Sequence, residues 1–280
     1  MPEASPSMNQ TALPSDVSHE GPSASDISHQ ASKDPGFALF LDFDGTLVEL
    51  AETPEAIIVP PTLGETLVKL RTLLDGALAI VTGCSIAVID RFLNPNLFDI
   101  AGIHGAEWRL GEHVEQVHAD SDFKLREAVV QLRERLARHP DLLIEDKGGS
   151  LALHWRTAPS LAGLAISVMK DAAKSVGSGY RLQHGKSVAE LLPVSVSKDR
   201  AIERFLSLPP YAGRHPIFMG DDLTDESGFQ AINAHRGMSV RVGSGPTLAR
   251  QRLATPVQVR RLLDSWALNG RIHLNQDFAE

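Results

Sequence analysis

Phe37 to Leu41 is an uninterrupted apolar run that stops at two carboxylates, Asp42 and Asp44, in the segment FALFLDFDGTLVEL. An unbroken apolar run of this length predicts a buried strand, and charge at its end is costly unless a partner or a ligand compensates it. The same alternation of short apolar runs and helical stripes continues downstream. TLGETLVKLRTLL, from Thr62 to Leu74, follows Pro60 and Pro61 and puts Leu63, Thr66, Leu67, Leu70 and Leu74 on one face, which predicts a helix. ALAIVTG, Ala77 to Gly83, and FDIAGIHG, Phe98 to Gly105, predict two more strands. Strands alternating with helices predict an α/β fold with a doubly wound, mostly parallel sheet.

The pattern changes near residue 107. WRLGEHVEQV, Trp108 to Val117, predicts a hairpin turning at Gly111, and Leu125, Ala128, Val129, Leu132 and Leu136 then share a helical face. SLALHWR predicts a strand, a helix follows from about Leu161 to Ser175, and YRLQHGKSVAELLP reads as a second hairpin around His184 and Gly185. Hairpins and helices between parallel units predict an inserted α+β cap domain over residues 107–185, interrupting a core made of 36–106 and 186–270. The parallel pattern resumes with SKDRAIERFL, HPIFMG, ESGFQAIN, GMSVRVG and a last helix around VQVRRLLDSWAL. The Ser- and Pro-rich stretch 1–35 predicts a disordered tail, and 271–280 a C-terminal tail.

Composition removes several classes of function. A formal net charge of -8 without a Lys/Arg cluster argues against nucleic acid as a partner. No apolar segment approaches the roughly 20 residues that a membrane-spanning helix needs, and the N-terminus lacks the pattern of a secretory signal. The single cysteine, Cys84, allows neither an internal disulfide nor a multi-cysteine zinc site and fits a reducing, cytoplasmic compartment. A monomer acting on a small molecule is the expectation.

In an open α/β sheet, ligands bind outside the carboxyl ends of the strands. Four polar features fall at or beside such ends: Asp42 with Asp44, Thr82, Lys198, and GDDLTDE from Gly220 to Glu226. DFDG is not an EF-hand loop, because Leu47 and Thr53 stand where that loop needs glycine and glutamate. Taken singly, DFDG also fits a plain turn, and GDDLTDE fits a helix capped by Thr224 or Asp225. GDDLTDE carries four acids where a cap needs one acceptor, and the surplus points to a hard cation held by oxygen.

Together and in this order, DFDGTL, Thr82, Lys198 and GDDLTDE resemble the haloacid dehalogenase superfamily of phosphotransferases, over about Phe37 to Leu268. GIHGAEWR, KGGSLALHWR, GKSVAELLP and GDDLTDESGF further resemble the trehalose-6-phosphate phosphatase family. The resemblance implies a Rossmann-like core and Mg2+-dependent hydrolysis of trehalose 6-phosphate to trehalose and phosphate through an aspartyl phosphate, the last step of trehalose biosynthesis. It casts Asp42 as nucleophile, Asp44 as general acid and base, Thr82 as a hydroxyl donor to phosphate and Lys198 as the cation beside the phosphoryl group. Mg2+ would be held by the Asp42 carboxylate, the Asp44 carbonyl and Asp221, with Asp222 and Asp225 as supporting acids. A cation is needed because a phosphate dianion about 4 Å from a carboxylate is repelled by on the order of 4 kcal/mol at an effective dielectric near 20.

For the sugar, the resemblance points to Gly83, His104, Glu145, Lys147, Arg156, Lys186 and Glu190. Lys186 and Glu190, four apart, lie on one face of an extended strand. A phosphatase for sucrose 6-phosphate or a mannosyl phosphate, a phosphomutase, and a non-catalytic sugar-phosphate binding protein are the alternatives. Two positions depart from the family pattern: Cys84 stands where arginine is usual, and Asp199 where glycine is usual after the lysine.

Overall fold

The computed structural model describes residues 36–51, 56–116 and 122–274. The expected N-terminal tail lies outside the described residues, as does 275–280 of the expected C-terminal one. Ile272 and Leu274 pack against the large hydrophobic core.

Eight strands form the larger sheet. They are β1 (Phe37–Leu41), β2 (Leu78–Val81), β3 (Asp99–Gly102), β4 (Glu107–Leu110), β5 (His113–Gln116), β10 (His215–Gly220), β11 (Met238–Val242) and β12 (Gln251–Leu253). Their spatial order is β12-β11-β10-β1-β2-β3-β4-β5. Pairing is parallel from β12 to β3 and antiparallel for β3-β4 and β4-β5. The apolar reading of the central strands holds, for Ala38 to Leu41 and Leu78 to Val81 are all buried. Helices cover the sheet: α1 (Leu63–Leu73), α2 (Ile86–Phe92), α5 (Lys198–Leu206), α6 (Asp225–Ala234) and α7 (Pro256–Asn269). On α1 the buried stripe is Leu63, Thr66, Leu67 and Leu70, as the 3.6-residue spacing requires.

The chain builds outward from β1 through β2 and β3, then returns to β10 on the other side of β1. That reversal makes the gap between β1 and β10 a topological switch point, where a crevice opens at the strands' carboxyl ends. Asp42 follows β1 there, and Asp221 follows β10.

A second sheet of four antiparallel strands has the order β6-β7-β9-β8, with β6 (Leu143–Asp146), β7 (Leu151–His154), β8 (Tyr180–Gly185) and β9 (Val188–Pro193). Helices α3 (Asp122–Arg135) and α4 (Ala162–Val176) pack on one face of it, where Leu125, Val129 and Leu132 meet Leu151, Leu153, Val168, Met169 and Leu191. The other face carries polar residues in register: Glu145 pairs with Ala152, Ala152 with Glu190, and Glu190 with Gln183.

Two segments fall on the other side of the 107–185 division. The Trp108 hairpin extends the large sheet, because β4 pairs with β3 and Trp108 packs on α5, its ring centroid 5.2 Å from that of Phe205 and 3.7 Å from the Arg204 guanidinium carbon. Antiparallel edge strands of this kind are common on otherwise parallel sheets. The second boundary, between Gly185 and Lys186, cuts a hairpin in which all six residues of β8 pair with β9 around the turn Lys186-Ser187, so β9 belongs to the small sheet. The strand expected from Phe98 to Gly105 ends at Gly102. Ile103 and His104 take left-handed backbone, with φ of 48° and 57°.

Candidate active site

Asp42 is buried at the end of β1, its N–H bonded to the Met219 carbonyl of β10 at 2.9 Å. Both carboxylate oxygens are held. Lys198 Nζ donates to Oδ1 at 2.7 Å, and Thr46 Oγ1 donates to Oδ2 at 3.1 Å. Lys198 opens α5, is almost wholly buried and also donates to Asp225 Oδ1 at 2.6 Å. The other oxygen of Asp225 accepts the backbone N–H groups of Asp221 and Asp222 at 2.9 and 2.8 Å. Asp225 thus fastens the loop after β10 with one oxygen and holds Lys198 with the other.

One oxygen each of Asp42, Asp221 and Asp225 lie within 4.8 Å of one another. Burial pushes the Asp42 carboxyl well above its usual range, and Asp225 and Asp221 add to this against the opposing charge of Lys198. Burial and then the charge of Asp225 push Asp221 up to about 6, although Lys186 Nζ sits 2.5 Å from its Oδ2. An all-oxygen donor set with more negative charge than its lysines neutralise fits a hard divalent cation. Asp42 and Asp221 line the crevice, and Lys186, nearly half exposed, can release its carboxylate.

Gly45 explains itself in this geometry. Its φ is +78°, and a Cβ there would stand 2.2 Å from Asp221 Oδ2. The glycine of DFDG is therefore what lets the loop after β1 approach the loop after β10.

Thr82 is buried at the end of β2, and its hydroxyl accepts the Cys84 N–H at 3.1 Å. Gly83 leaves room for the His104 ring, which a Cβ would approach to 2.9 Å. Cys84 Sγ donates to Asp44 Oδ2 at 2.9 Å. Burial and then the Asp44 carboxylate hold that thiol well above its ordinary range, so it is the donor. Burial also raises the Asp44 carboxyl, against the Cys84 hydrogen bond and the charge of Lys147.

The small sheet supplies the roof. Glu190 is buried between His104 Nε2 and Lys147 Nζ, each 2.9 Å from one of its oxygens, with Ser150 Oγ at 3.4 Å. Burial favours the neutral acid, but Lys147 and His104 outweigh it and hold the Glu190 carboxyl below the usual range. Lys147 also donates to the Gly83 carbonyl at 2.9 Å, tying the two sheets together. Burial disfavours its charge, while Glu190 and Glu145 more than restore it. Glu145 accepts from His154 at 2.9 Å, and Arg156 reaches the Ala51 carbonyl at 3.1 Å. Asp222 lines the same crevice, and its buried Oδ1 has no hydrogen-bond partner among the described residues.

All fourteen residues singled out by sequence thus lie in or beside one cleft, which holds a cavity of about 170 Å³ and is roofed by the polar face of the small sheet. Its lining adds Cys84, His154, Gln183 and Thr224, and Thr46 touches Asp42. The alternation of SLALHWR contained a signal for His154, whereas nothing local distinguished Gln183. Among the described residues no helix is long and apolar enough to cross a membrane.

Comparison with known proteins agrees with this geometry. Residues 40–257 match the family model described as trehalose-phosphatase. The chain is 43% identical over 208 residues to a probable trehalose-phosphate phosphatase of Sinorhizobium fredii (strain NBRC 101917 / NGR234), covering 74% of this chain and 78% of that one. It is 41% identical over 219 residues to the trehalose-6-phosphate phosphatase of Escherichia coli (strain K12), covering 78% and 82%. The fold superposes on the C-terminal domain of C. albicans trehalose-6-phosphate phosphatase with a TM-score of 0.74 at 24% identity, covering 84% of this chain and 93% of that one. Family and buried acids together imply a divalent metal. On the strength of the family match and of two relatives above 40% identity, the chain belongs to the trehalose-phosphatase family, built on the haloacid dehalogenase fold.

Proposed function

We propose that this protein hydrolyses trehalose 6-phosphate to trehalose and phosphate, with Mg2+ as its metal. One observation carries the reading: a carboxylate held at the switch point by Lys198 and Thr46 faces a roof of Glu190, Lys147 and Arg156, which offers hydroxyl-binding groups to a sugar. The cytoplasm is the proposed compartment, in keeping with a lone free cysteine.

Asp42 attacks phosphorus. The bond from its carboxylate oxygen to phosphorus forms as the bond to the sugar oxygen breaks, which divides a hard displacement into two steps. Asp44 hands a proton to the departing oxygen, then takes one from the water that cleaves the aspartyl phosphate. Because Lys198 and Thr46 already hold the Asp42 carboxylate, little reorganisation precedes attack. Thr82 offers its hydroxyl to a phosphate oxygen, and Lys198 offsets charge on the transferring group. A divalent cation held by Asp42, the Asp44 carbonyl and Asp221 would neutralise phosphate charge that these acids otherwise repel. The small sheet, as a cap, excludes water and reads the sugar through Glu145, Lys147, Arg156, Lys186 and Glu190, with His104 and Gly83 shaping the floor.

Phosphate release from a panel of sugar phosphates, with Mg2+ and with EDTA, tests the reading. Trehalose 6-phosphate is expected to lead the panel, and EDTA to stop turnover. A clear preference for sucrose 6-phosphate or a mannosyl phosphate overturns the substrate. Asp42→Asn is expected to abolish turnover while the protein still folds, and substantial hydrolysis by that variant removes Asp42 as nucleophile.

A further inference from the structure

We infer that Cys84 is the positioning residue of Asp44: its thiol holds the Asp44 carboxylate in the orientation from which a proton reaches the leaving sugar oxygen. The inference rests on the proposed role of Asp44 and deepens it.

Asp42 and Asp44 are held very differently. Two donors grip Asp42, one on each oxygen. Among the described residues, the side chain that donates to the Asp44 carboxylate is Cys84 alone, at 2.9 Å to Oδ2. Lys147 lends charge, but its hydrogen bonds go to Gly83 and Glu190. A carboxylate swings freely about its last torsion, which has only a broad, roughly two-fold preference. Proton transfer tolerates little of that freedom, because the acid must lie within about 2.6–3.2 Å of the oxygen it protonates. The bond to Oδ2 removes the swing and leaves Oδ1 to exchange the proton.

Cys84 can do this because its own backbone is fixed on both sides. Its N–H donates to Thr82 Oγ1 at 3.1 Å, and its carbonyl accepts from Ile103 N at 2.8 Å. Just downstream, Ser85 caps α2 by accepting the Val88 N–H, and Ile86 N donates to Glu107 Oε2 at 2.7 Å. The sulfur is therefore carried by a loop with little slack. Through the cycle Cys84 keeps its proton. Asp44 Oδ1 gives one to the sugar oxygen as the phosphorus–oxygen bond breaks, and recovers one from the water that attacks phosphorus.

Two substrates separate this role from a general structural one. A sugar alcohol leaves poorly and needs the proton, whereas p-nitrophenolate leaves without it. In single-turnover experiments with Mg2+, Cys84→Ala is expected to slow transfer from trehalose 6-phosphate by about five- to tenfold, the worth of one modest hydrogen bond, with KM changed by less than about twofold. The pre-steady-state burst of p-nitrophenolate from p-nitrophenyl phosphate is expected to keep its wild-type rate. Cys84→Ser, which retains a donor, is expected to recover most of the sugar-phosphate rate. Should the alanine variant not fold, Cys84→Val fills the space without a donor and replaces it.

Three results overturn the inference: a donor-free variant as fast as wild type on the sugar phosphate, an equal loss in the p-nitrophenolate burst, or a serine variant no better than alanine. If the wild-type protein prefers another sugar phosphate, the substrate reading fails alone and the comparison is made with the preferred one. A protein inert toward every sugar phosphate sinks both.

Discussion

Replacing Lys198 by methionine keeps the length of the side chain and removes its charge. Lys198 Nζ stands 2.7 Å from Asp42 and 2.6 Å from Asp225, and the three side chains are 2%, 5% and 0% exposed. Taking one partner from a buried ion pair costs about 3–5 kcal/mol, since the remaining charge is left without compensation. A second route gives a similar figure: carboxylate oxygens within 4.8 Å repel by roughly 3.5 kcal/mol at an effective dielectric of 20. For a domain of this size that lowers the melting temperature by about 6–20 °C. Urea unfolding followed by tryptophan fluorescence, in EDTA and again with saturating Mg2+, measures it. The loss should be largest in EDTA and shrink with the cation, which restores positive charge to the same cluster. Turnover should stay down by about a hundredfold or more even with the cation, the usual cost of losing one preorganised charge beside a reacting group. A loss below about 1 kcal/mol in EDTA would refute the claim that Lys198 holds the cluster together.

Gly45→Ala combines a left-handed backbone with a Cβ only 2.2 Å from Asp221 Oδ2. It should cost about 1–3 kcal/mol and weaken divalent-cation binding in calorimetry by at least about tenfold; wild-type affinity would show that the approach is not required. Glu190→Gln addresses pH. A carboxyl held below its usual range stabilises the fold above its unfolded value near 4.5, and the contribution is lost as pH falls below that value. The stability gap between wild type and Glu190→Gln should therefore narrow as pH falls from 4.5 to 3.5. A gap that stays flat over the whole range contradicts the Lys147-Glu190-His104 account.

Much of the candidate site's floor was legible because its signals are local. An apolar run ending in DFDG and a second ending in GDDLTDE each state their environment within a few residues, whereas Lys198 and Thr82 were singled out by the family resemblance. The roof was harder to read. Glu190 lies on β9, whereas Lys186, expected on the same strand face, sits in the tight turn before it; neither the Lys147 contact to Gly83 nor the His104 contact to Glu190 follows from any spacing, since these partners are 64 and 86 residues apart. The Trp108 hairpin was read correctly as a hairpin. Its sheet was decided by the pairing of β4 with β3, and its packing by Arg204 and Phe205, which lie almost a hundred residues away.

By itself the sequence determined most of the strands and helices, because period and burial are recorded residue by residue, and it placed the acids at strand ends, whereas the short α2, β6 and β12 carried no readable period. Only the tertiary structure decided what those acids face. Asp225 turned out to fasten a loop, Asp221 to need the bare backbone of Gly45, and Asp44 to rest on Cys84. The physical reason is that hydrogen bonds and ion pairs act over about 3 Å in space with no regard for distance along the chain, so a partner is known only once the fold has brought it near.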